Sequence, residues 1–202
     1  MVINTLSKRW AAAVLCVVLA AAALLAPGCF SINIPPIPVS FTLIHDVSFG
    51  PSSGLVPGVP VTNQAIPIGA TCAFPSEAIL EDLVREEAGE VIADLISFNN
   101  VLLTGITLAA SQGNFSSLTE LRLEVGIVGG EGLTFINLGE ATAPEGGFGS
   151  SVLLTPPSQI DLLPIIRGGG CGAALLFITG TSPASDVTMD ANVDVTVSLT
   201  VF

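Results

Sequence analysis

The spacing of apolar residues divides this chain into three regimes. Residues 11–26 are sixteen Ala, Val, Leu and one Cys without a polar break. Residues 76–98 repeat with helical spacing: Leu80, Val84, Ala88, Val91 and Leu95 make a stripe, and Ile79, Leu83, Ile92 and Ile96 widen it. Ser76, after Pro75, is the expected N-cap, and Glu77, Glu81 and Asp82 suit the positive end of the helix dipole. Glu81 and Arg85 have the spacing of an i,i+4 pair, worth a few tenths of a kcal/mol. Gly89 weakens the middle by about 1 kcal/mol relative to Ala and is a point where the helix can split.

Elsewhere the period is two. Phe41, Leu43, His45, Val47 and Phe49 predict a half-buried strand, with Asp46 on the face opposite His45. Residues 59–68 read as a second strand, placed at a sheet edge by its prolines. Residues 102–110, 118–128, 133–138, 152–154 and 173–179 follow as strands between Gly-, Pro-, Asn- and Ser-rich turns. The last stretch, 187–201, sets Val193, Val195, Val197, Leu199 and Val201 against Asn192, Asp194, Thr196, Ser198 and Thr200, a long strand with one wet face. Some eight strands and one helix predict a mainly β fold: an antiparallel β-sandwich, Ig-like or related, with one amphipathic helix over an end or edge. The expected single domain spans residues 40–202.

The N-terminus changes where this domain is expected to work. Lys8 and Arg9 precede the apolar run, and Pro27, Gly28 and Cys29 follow it. That order of charge, apolar core and small exit residues is the pattern of a secretory signal, here 1–28. Sixteen residues fall short of the roughly 20 that span a bilayer comfortably. Beyond Cys29 three arginines (Arg85, Arg122, Arg167) face all seventeen acidic residues, a net charge of −14, and there is no lysine. Such a field disfavours nucleic acid as a partner.

The segment Leu25-Ala26-Pro27-Gly28-Cys29 resembles the lipobox of bacterial lipoprotein precursors. The resemblance implies a diacylglyceryl group on the Cys29 thiol and cleavage just before it. Gly28 matches the family pattern. Ala26 and Pro27 depart from it, so ordinary signal cleavage, with a secreted product and an odd thiol at Cys29, stays open. Phe30 in place of an Asp implies the outer membrane as the address. Residues 29–39, with Pro35, Pro36 and Pro38, then read as a lipidated N-terminus and stiff tether. The layout behind the tether also resembles uncharacterised β-sandwich lipoproteins.

Cys72 and Cys171 remain as an even pair in an oxidising compartment. A bridge between them would close a loop of about a hundred residues and stabilise by roughly 4–5 kcal/mol. Two buried thiols are the alternative.

Catalytic and metal chemistry find little footing. His45 is the only histidine, and no G-x-S-x-G elbow accompanies it; Gly147-Phe148-Gly149-Ser150 lacks that pattern. Asp186, Asp190, Asn192 and Asp194 carry calcium-type oxygens, but same-face residues on a straight strand splay apart. Gly168-Gly169-Gly170 leads into a strand, so it reads as a turn and not a phosphate loop. Glu86, Glu87, Glu90 and Asp94 make an acidic helix surface with no Tyr or Trp platform for a sugar. The terminal Phe202 resembles the last residue of outer-membrane barrels, but Thr200, Ser198, Thr196 and Asp194 share its face, which does not fit a lipid-facing strand. The sequence therefore predicts a non-enzymatic, lipid-anchored envelope protein without cofactor or metal, its domain serving structure or interaction with an unknown protein. A binder of a small apolar ligand or lipid, lidded by the helix, is the alternative.

Overall fold

The computed structural model describes residues 32–69, 74–88, 96–129 and 132–201. The strands are β1 (Ile32–Asn33), β2 (Ile37–Phe49), β3 (Pro60–Gly69), β4 (Ile96–Gln112), β5 (Leu118–Gly129), β6 (Gly132–Thr142), β7 (Ser151–Leu154), β8 (Cys171–Thr181) and β9 (Val187–Val201). The helices are α1 (Glu77–Ala88), between β3 and β4, and the short α2 (Leu163–Arg167), before β8.

They form two antiparallel sheets, the predicted β-sandwich. In the first, β9 lies between β4 and the edge shared by β1 and β2, and β7 flanks β4. In the second the order is β3-β8-β5-β6, so the proline-bearing β3 is an edge strand as expected. Alternation drives the packing. Val187, Met189, Ala191, Val193, Val195, Val197 and Leu199 of β9 all point into the core. From the other sheet Leu121, Leu123, Val125, Ala174, Leu176 and Ile178 meet them. Phe49 and Phe115 stack inside with ring centroids 6.3 Å apart. At the end of β8, Gly180 (φ 134°) pairs with Leu118, and a Cβ there would lie 2.7 Å from Leu118 Cα, so only glycine fits.

Four local expectations give way. Ile96 and Phe98, expected at the end of the helix, belong to β4, while 89–95, including Gly89, Val91, Ile92 and Leu95, lie outside the described residues. Within α1, Leu80 and Val84 are buried but Ile79 is 53% exposed, so the core stripe is narrower than the sequence implied. Arg85 pairs with Asp82 at 3.0 Å and not with Glu81, while Ser76 does cap the helix, its Oγ accepting from the Ile79 N–H. The expected tether is also shorter. Ile32 and Asn33 pair with Val201 and Thr200, and Ile37 and Pro38 with Val197 and Thr196, because Ile37 and Val39 have core space to fill. No described helix is long and apolar enough to cross a membrane.

Candidate functional site

The outer face of β2 and β9 carries the densest polar chemistry. Between the pairs Ile44–Ala191 and Val47–Met189, two residues of β2, His45 and Asp46, oppose the single Asp190 of β9. This is a β-bulge, which re-aims a side chain by breaking the alternation. Asp46 takes a left-handed backbone (φ 51°), a conformation that Asp tolerates better than most residues. The expectation that Asp46 lies on the face opposite His45 is therefore corrected: the bulge brings both to Asp190.

The three side chains are tightly connected. His45 Nδ1 lies 2.8 Å from Asp190 Oδ1, and the Asp46 backbone N–H donates to that same oxygen at 2.8 Å. On the far side of the ring, His45 Nε2 lies 3.2 Å from Asp46 Oδ2. His45 and Asp46 are largely exposed, and the Asp190 side chain is 29% exposed. The Asp46 N–H, seconded by His45, holds the Asp190 carboxyl below the usual carboxylate range. One ligand atom from each of the three residues lies within 4.8 Å of the others, the only such trio of His, Cys, Asp or Glu among the described residues.

The remaining oxygen-bearing residues of β9 do not join this cluster. Asp194 accepts from Ser40 Oγ at 2.5 Å and Asn192 from Thr42 Oγ1 at 2.7 Å, each a separate rung toward β2. Asp186 caps a turn by accepting from the Ser52 N–H at 3.0 Å. Asp190, Asn192 and Asp194 are thus spread along β9, as the straight-strand argument required, and Asp186 lies just before the strand. Glu77 of α1 is taken by Arg167 at 2.7 Å, and the guanidinium lowers the Glu77 pKa while the carboxylate raises that of Arg167. Gly168, Gly169 and Gly170 end α2 and lead into β8, a turn as expected.

Of the cysteines, Cys29 and Cys72 lie outside the described residues, and Cys171 opens β8 with 9% exposure. A groove that the sequence did not announce, of about 530 Å³, lies on the outer face of the second sheet. Arg122 forms its centre, its guanidinium 4.4 Å from the Phe177 ring centroid and NH2 donating to Asn63 Oδ1 at 3.1 Å. Asn63 is the other left-handed non-glycine residue (φ 48°), at a bulge in β3. Glu120, Glu140 and Pro156 line the rim.

No family model matches the chain, and no curated protein matches it. Among solved structures it is similar to the crystal structure of decameric BFDV capsid protein, at 9% identity over 84% of this chain and 98% of that one, TM-score 0.29. It is likewise similar to the cryo-EM structure of mud crab tombus-like virus, at 10% identity over 91% and 96%, TM-score 0.25.

Proposed function

We propose that this protein is exported and held in a bacterial envelope by lipid on Cys29, and that its β-sandwich serves there as a non-catalytic structural or interaction module. The observation that carries the reading is Leu25-Ala26-Pro27-Gly28-Cys29 directly after an apolar run headed by Lys8 and Arg9. Only Phe30 and Ser31 separate Cys29 from β1, so a lipid at Cys29 would hold the domain close to the bilayer. A diacyl group gives the durable, two-chain kind of anchoring. The outer membrane is the proposed address, from Phe30 after the cysteine.

The interior favours a structural module over an apolar-ligand binder. Phe49, Phe115, Leu43, Leu108, Leu121 and Leu123 fill the space between the sheets, each under 2% exposed. The helix stripe serves as core, with Leu80 and Val84 packed in it.

A Cys72–Cys171 disulfide belongs to the same reading. Gly69, three residues before Cys72, pairs with Ala174, three residues after Cys171. A Cβ on Gly170 would meet Phe74 at 3.8 Å, so the chain two residues past Cys72 lies beside the residue before Cys171. Non-reducing peptide mapping should recover the two cysteines in one linked peptide; two separately alkylated thiols would remove the bridge.

Fractionation of a bacterial host expressing the full chain tests the anchor. Wild type is expected in the membrane pellet and Cys29→Ser in the soluble fraction. Identical partitioning of the two would contradict it.

A further inference from the structure

We propose that His45, Asp46 and Asp190 form a binding site for a divalent transition cation of the zinc class, with His45 Nε2 and Asp46 Oδ2 as its protein ligands and Asp190 as the group that orients the imidazole. The argument starts from proton placement. The Asp190 carboxylate only accepts, so the His45 Nδ1 that lies 2.8 Å from it carries a hydrogen. In the neutral imidazole this leaves a lone pair on Nε2. That lone pair faces a carboxylate oxygen of Asp46 at 3.2 Å. Two acceptors at that distance repel unless a positive charge lies between them, and the charge is either a second proton or a metal ion.

The geometry suits a metal. Ligand atoms 3.2 Å apart, each about 2.1 Å from an ion, subtend roughly 100°, close to the tetrahedral angle that zinc accepts. A ligating histidine that donates its other N–H to a carboxylate is the usual outer-shell arrangement of such sites. Here Asp190 supplies that carboxylate, and it is itself fixed by the Asp46 N–H at 2.8 Å. The bulge therefore does two jobs: its backbone orients Asp190, and its side chain supplies a ligand. An imidazole nitrogen with a carboxylate selects a borderline cation such as Zn²⁺ over Ca²⁺. The largely exposed His45 and Asp46 leave the remaining coordination positions to water, and the net charge of −14 beyond Cys29 raises local cation concentration.

The test is calorimetric titration of ZnCl₂ into metal-stripped full-length protein in detergent at neutral pH, beside His45→Gln, Asp46→Asn and Asp190→Asn. Wild type is expected to show a site that His45→Gln abolishes and that Asp190→Asn weakens by about 10- to 100-fold, the usual loss for an outer-shell partner. Asp46→Asn keeps the backbone N–H and a residue type at home in the left-handed conformation, so it removes the carboxylate charge without disturbing the bulge; it too should weaken binding. Nitrogen NMR of the His45 ring gives a second readout: saturating Zn²⁺ should leave the proton on Nδ1 and shift Nε2 alone. Binding that is equal in wild type and His45→Gln would overturn the proposal. So would an imidazolium that keeps both protons at saturating Zn²⁺.

Discussion

The two sheets share one kind of inner face and differ in their outer ones. Both turn alternate apolar residues into a common core. Outside, the first sheet joins β2 to β9 by successive polar rungs: Ser40–Asp194, Thr42–Asn192, His45–Asp190 and Ser48–Thr188. The second sheet instead exposes Val128, Leu133 and Phe135 near the β5–β6 turn and carries Arg122 stacked on the Phe177 ring and paired with Glu124 at 3.0 Å. Alternation thus decides what is buried, whereas the wet face takes its character from what stands across the neighbouring strand. On the first sheet those neighbours add register-fixing hydrogen bonds. On the second, Arg122 of β5 instead reaches across β8 to Asn63 of β3, whose N–H donates to Thr179 Oγ1 of β8.

Substitutions along this contrast should separate the contributions. Phe115→Ala empties a fully buried site stacked on Phe49 and should cost about 3–5 kcal/mol in denaturant unfolding. A loss below 1 kcal/mol would mean that the inner face is not the shared determinant. Asp190→Asn removes the charge at the centre of the bulge and should cost about 1 kcal/mol. It should also change the pH profile. The folded Asp190 carboxyl sits below its ordinary value, so its contribution is complete above the unfolded pKa of about 3.9 and is lost as pH falls through the folded value. Asp190→Asn should therefore flatten the acid side of the stability curve, and an unchanged acid limb would contradict the assigned hydrogen bonds. Arg122→Ala, on the other sheet, should cost about 0.5–1 kcal/mol without altering the acid limb in this way. Val128→Thr, at a position 66% exposed, should stay within about 0.5 kcal/mol.

Much of this was readable in the chain. The alternation at 187–201 marks β9 to the residue, and the prolines of 59–68 mark the edge strand β3. The bulge left a trace as well. Leu43-Ile44 and His45-Asp46 are an apolar doublet followed by a polar one, and two doublets in succession break a period of two. Reading Phe41, Leu43, His45, Val47 and Phe49 as one continuous face smoothed over that break and sent Asp46 to the wrong side. The partners of Arg85 and Glu77 were harder to foresee: spacing along a helix offers several neighbours, and Arg167 reaches Glu77 from 90 residues away. The Arg122 groove left no local trace, since β3, β5, β6 and β8 all contribute to it.

Intact mass of protein extracted from bacterial membranes tests the anchor at the centre of this account most directly. The mature chain is predicted to begin at Cys29 and to carry acyl mass that Cys29→Ser abolishes. An unmodified N-terminus at or before Cys29 would contradict it.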